Sequence, residues 1–165
     1  MKQPEHRGYV RPSQDRRLRR AAPKEISWVA FGLIILVAFH LITTGIMVLQ
    51  REAIAEGIRK ANSSLSELQV SYALALTLVV SALFHAIFVL LYIWLAFKIR
   101  TGKPWVRVTL TAVLVVATGA SAVSFSLSPL FRLFIPLGDV LQLILIGLLW
   151  LPASSRAYFA ARSHS

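Results

Sequence analysis

Four long apolar runs dominate this chain: Ile26 to Leu49, Tyr72 to Phe97, Trp105 to Ser126 and Leu133 to Leu151. A helix needs about 20 mainly apolar residues to cross a hydrocarbon core of roughly 30 Å, and each run supplies that length. A soluble fold of 165 residues would also need enough polar surface to enclose four such segments. Only 15% of the residues are charged, against about 25% in soluble proteins. Strands in lipid must close into a barrel and alternate apolar with polar residues, and these runs do not alternate. The expected fold is therefore all-α: an integral membrane, antiparallel four-helix transmembrane bundle over residues 26–151. A basic arm, residues 1–25, precedes it, and a short tail, residues 152–165, follows.

The first run is about twice the length of a signal-peptide apolar region, and no small-x-small cleavage site closes it. It is read as an anchor, and the Arg16–Arg17 pair in "DRRLRR" as its basic flank rather than an export signal. The arm carries eight cations against three acids, three prolines and few apolar residues. It cannot bury enough surface to offset its ordering entropy, so it is expected to be disordered and attracted to anionic lipids.

The cations predict an orientation. Lys98, Arg100, Lys103 and Arg107 crowd the short connection "FKIRTGKPWVRV", where no carboxylate balances them. The arm, this turn and the tail, with Arg156 and Arg162, fall on one side of a four-span protein. Gln50 to Ser71 carries three cations and three acids, and the last loop only Arg132. Cytoplasmic flanks are rich in Lys and Arg, so both termini and the basic turn are expected in the cytoplasm. Trp28, Trp94, Trp105 and Trp150 agree, each at the cytoplasmic end of a different helix, where indole rings favour the headgroup region. The basic turn is thus a topological anchor and not a nucleic-acid site, and the expected address is the plasma membrane.

In the outer loop, "QREAIAEGIRKAN" continues helical periodicity, with Glu56 and Lys60 spaced for an i,i+4 pair. Ser64 and Glu67 have capping-box spacing for the next helix. The first two long helices are expected to project beyond the membrane as a hairpin. The third carries Thr111, Ala117, Thr118, Gly119, Ala120, Ser121 and Ser124, small residues that let helices approach closely in lipid.

Three ionisable side chains fall at membrane depth, where they are costly and functional suspects: His40, His85 and Asp139. His40 and His85 lie near the middles of consecutive antiparallel helices and are expected at similar depth. The first reading is interhelical packing, each imidazole hydrogen-bonding a neighbouring helix. The alternative is axial ligation of haem b by the two imidazoles, with Thr43 or Thr44 placed to orient His40 and Ser81 one turn from His85. Asp139 and Gln142 share a face and could join the histidines in a proton-binding cluster. The preferred reading gives Asp139 a capping or surface-pairing role at the start of a shortened fourth helix, after Pro136 and Gly138. Cysteine is absent, which removes thiolate chemistry. No nucleophile–base set, phosphate loop or carboxylate cluster occurs, so no catalytic or metal site is expected.

The basic arm, the "KIRTGKPWVRV" turn and the exit "LLWLPASSRAYFAAR" resemble the small four-span membrane proteins of unknown function common in actinobacteria. That resemblance implies architecture and a plasma-membrane address, and carries over no catalytic residue. The resulting expectation is a non-enzymatic membrane protein, an accessory or scaffold subunit partnering other membrane proteins or itself. A haem-binding redox subunit is the first alternative, and an oligomeric transporter or channel the second.

Overall fold

A computed structural model describes residues 22–127 and 134–162, the side chains of 123–127 excepted. The arm as far as residue 21, Pro129, Arg132 and the side chain of Ser124 lie outside the described residues. All regular structure among those described is helical: α1 (Lys24–Leu49), α2 (Arg51–Ala61), α3 (Glu67–Lys98), α4 (Pro104–Leu127), α5 (Phe134–Trp150) and α6 (Ala153–Ala160), with a 3-10 turn at Ile99–Thr101. Three helices, α1, α3 and α4, are long and apolar enough to cross a membrane. Counting the bent pair α5–α6 as one span makes four.

The helices begin and end where local chemistry directs. α1 opens behind the extended Pro23, with Glu25 in its first turn facing the positive end of the helix dipole. It stops at Gln50, and α2 restarts at once. Ala55 of α2 is buried and Ile54 and Ile58 half-buried, against α3, while its charged face carries the Glu56–Lys60 pair at 3.6 Å.

The capping box expected of Ser64 and Glu67 is corrected by two residues. Ser66 Oγ accepts from the Gln69 N–H at 3.3 Å, and Gln69 Oε1 accepts from the Ser66 N–H at 2.8 Å. Ser64 is already engaged, donating its hydroxyl to Asn62 Oδ1 at 2.7 Å, and Glu67 accepts from Arg59 Nη2 at 2.8 Å. α3 therefore begins five residues before the apolar run. Its 32 residues extend roughly 48 Å at 1.5 Å each, well beyond a core of about 30 Å, an excess taken up by tilt or projection.

At its other end α3 tightens into the 3-10 turn and closes at Gly102, whose φ of 69° is left-handed. A Cβ there would also run into Tyr158 and Arg162. Pro104 then starts α4, where a missing N–H leaves no bond unmade.

Asp139 does not cap a shortened helix. α5 is already running from Phe134, and Pro136 falls in its first turn, where proline is tolerated. Within the short tail, Ala153–Ala160 is helical, bent 63° from α5, with Ser155, Tyr158 and Phe159 buried. Ser155 donates to the Leu148 carbonyl at 2.9 Å, satisfying one of the acceptors that a helix end leaves open.

α1 packs most extensively on α3 and also on α5, while α4 packs mainly on α5. At Gly32 the α1 backbone comes so close to Leu145 that a Cβ would displace that side chain. One buried cluster includes Ile26, Leu33, Tyr92, Ile99, Leu110 and Leu149, and so gathers the start of α1, the end of α3, the start of α4 and the end of α5. Around it the helices are apolar on their outer faces too. Leu41, Leu76, Leu83, Leu90 and Leu143 are each about 60% exposed or more, as expected where the solvent is hydrocarbon.

Candidate functional site: paired polar groups between apolar helices

His40 and His85 meet. Their Nδ1 atoms lie 2.6 Å apart, linking α1 to α3. Such a bond needs one Nδ1 carrying a proton and the other offering its lone pair, so the two rings hold different roles. The His40 ring is buried and lies parallel to Phe88, with centroids 5.6 Å apart and planes 4° apart. Tyr92 closes another side at 5.5 Å. His85, Phe88 and Tyr92 are spaced i, i+3 and i+7, so one face of α3 receives the His40 ring. The Tyr92 hydroxyl is buried and without a hydrogen-bond partner among the described residues.

Thr43 and Thr44 do not orient the imidazole. Their hydroxyls donate to the carbonyls of Phe39 and His40 on their own helix, both at 2.9 Å. Threonine commonly finds this partner one turn back, and it leaves the ring to its aromatic neighbours.

Asp139 and Gln142 pair elsewhere, with α4. Thr118 donates to Gln142 Oε1 at 2.8 Å, and Ser121 donates to Asp139 Oδ1 at 2.5 Å. Gln142 is buried and Asp139 half-buried. The polar groups that could have joined in one cluster thus make their hydrogen bonds in two sets, α1 with α3 and α4 with α5. Among the described residues no three of His, Cys, Asp and Glu are grouped to hold a metal ion.

Axial ligation of haem would use one nitrogen from each ring, and in this arrangement the two Nδ1 atoms are engaged with each other.

The anchor residues lie toward one end. Trp94 and Trp105 flank the basic turn with their rings 5.7 Å apart, and Trp28 packs on Phe31 at 6.2 Å. Trp150 donates its indole N–H to Thr111 at 2.9 Å and lies under the Arg107 guanidinium, 3.6 Å from the ring centroid. Tyr158 of α6 donates to the Arg100 carbonyl at 2.6 Å, tying α6 to the turn that carries Lys98, Arg100 and Lys103. Sequence reasoning missed Phe88, Tyr92 and α6. Their only signals were the i, i+3, i+7 spacing from His85 and the apolar Tyr158–Phe159 pair. Comparison with protein-family models, with curated proteins and with solved structures finds no match to this chain.

Proposed function

We propose that this is a non-enzymatic integral membrane protein, an accessory or scaffold subunit working through helix–helix contacts. In this reading α1, α3, α4 and α5 form an antiparallel four-helix bundle, with both ends of the chain and the basic turn in the cytoplasm. One observation supports the role above others: each deep polar group singled out from the sequence is occupied with a neighbouring helix. His40 is bound to His85, Gln142 to Thr118 and Asp139 to Ser121. Groups spent in this way join helices, whereas transport or catalysis needs a group turned toward a ligand. The broad apolar exterior offers contact area for another membrane protein or a second copy.

The test is native mass spectrometry of the chain released from its own membranes in a mild detergent. The expected result is a complex with a second polypeptide or a second copy. A lone monomer in every mild detergent would overturn the scaffold role. The redox alternative rests on the convergence of the two histidines, and a visible spectrum separates it. The purified protein is expected to be colourless, and a reducible Soret band would restore the alternative.

A further inference from the structure

We propose that Arg107 and Arg156 form a binding site for the phosphate of an anionic phospholipid headgroup, where α4, α5 and α6 meet. Arg107 is held on two sides by aromatic rings, with its guanidinium carbon 3.6 Å from the Trp150 centroid and 5.4 Å from that of Phe159. Trp150 is itself fixed by its hydrogen bond to Thr111. Two guanidinium nitrogens, Nε and Nη2, are shielded and without a hydrogen-bond partner among the described residues. With no acceptor on those nitrogens, the chain leaves this fixed cation without a neutralising partner, and a cation so held favours an anion.

The charged neighbour bearing on Arg107 is Arg156, a second cation. Like charges brought together repel, and neither arginine makes an ion pair among the described residues. The ion pairs among the described residues engage Arg51, Arg59 and Lys60, at the α2 end of the molecule. An anion between the two arginines removes the repulsion, and the guanidinium fork matches phosphate oxygens.

The surroundings select a lipid as its source. Leu151 is 77% exposed and Val108 59%, beside the half-exposed Trp105 and Trp150. Acyl chains can lie on these side chains while the headgroup reaches the arginines, the geometry of basic pockets at the ends of membrane helices. A free phosphate would gain nothing from that apolar border.

The inference rests on the membrane reading and not on the scaffold role. The full chain in neutral detergent is titrated with dioleoylphosphatidylglycerol, with dioleoylphosphatidylcholine of the same acyl chains, and with inorganic phosphate. Bound lipid is counted by native mass spectrometry. The glycerol lipid should be retained and the choline lipid lost, with millimolar phosphate displacing neither. Arg107→Gln with Arg156→Gln should weaken retention about twenty-five-fold, roughly fivefold per cation. Replacing the eight arm cations by Gln should leave this retention in place, which separates the site from the arm. Arg156 is exposed, so Arg156→Glu carries the test alone if the double variant does not accumulate. Equal retention of both lipids, or unchanged retention in Arg156→Glu, overturns the site. Displacement by phosphate overturns the lipid as its source. A chain that stays dispersed without detergent would instead sink the membrane reading.

Discussion

Replacing the two deep histidines separately and together tests whether their contact is a packing device. The structure makes the pair unequal. His40 is stacked on Phe88 and touches Tyr92, whereas His85 has an edgewise neighbour in Phe84 at 6.1 Å. Glutamine keeps a hydrogen-bonding group of similar reach but gives up the ring. His40→Gln should therefore lose an aromatic contact of about 0.5–1.5 kcal/mol, while His85→Gln should stay within about 0.5 kcal/mol of the parent. His40→Ala loses the hydrogen bond as well, and such bonds average about 0.6 kcal/mol between membrane helices, with a ceiling near 1.7. A double-mutant cycle of His40→Ala and His85→Ala should return a coupling in that range. The assay is unfolding of the full chain from neutral micelles by added dodecyl sulfate, followed by tryptophan fluorescence. A cost for His85→Gln equal to or above that for His40→Gln would refute the stacking account. Absence of coupling would refute the contact itself.

Other expectations follow from single contacts. Ser66→Ala should destabilise the start of α3 by about 1 kcal/mol, seen as faster amide exchange over residues 67–70, with Ser64→Ala smaller, because only Ser66 caps. Gly102→Ala should lower thermal stability by about 1–2 kcal/mol from its left-handed backbone alone, and a neutral thermal shift would mean the turn can relax. Asp139→Asn keeps an acceptor for Ser121 and should unfold like the parent, whereas Asp139→Leu should lose about 0.6 kcal/mol in the same dodecyl sulfate titration. Reporter fusions at residues 1 and 165 and near Gly102 should register cytoplasm and one near Asn62 the opposite side, and an outside signal at Gly102 would overturn the orientation.

The apolar runs were legible because lipid ties helix length and hydropathy to one solvent thickness. What lay at their edges was less so. "SSLSELQ" holds two capping boxes, Ser64–Glu67 and Ser66–Gln69, and spacing cannot choose between them. Asn62 chooses, by drawing Ser64 into its own turn. Pro136 and Gly138 read as helix breakers before Asp139, yet a proline in a first turn costs little, and α5 runs through all three. Phe88 and Tyr92 were hidden for a different reason. Periodicity marks a face only against a contrasting one, and α3 is apolar all round, so the ring that His40 would meet had no distinguishing pattern. α6 is short and mixed in polarity, and hydropathy over a membrane-length window averages it away.

The same uniformity explains why the polar pairs matter more than their number suggests. In hydrocarbon an apolar side chain gains little by exchanging lipid for another helix, so apolar contact alone does not choose which faces meet. The interfaces here are marked by other means. α1 and α3 are registered by the histidine contact, and α4 and α5 by Thr118 with Gln142 and Ser121 with Asp139. α1 and α5 approach at Gly32, where the missing side chain admits Leu145. Each mark is specific to its own pair, since an imidazole on α1 gains nothing from a hydroxyl it cannot reach on α4. Two polar locks and one close approach thus set the rotation of α1, α3, α4 and α5 about their axes. The apolar faces left over are free of that duty, and under the proposed scaffold role they are the surfaces available to a partner.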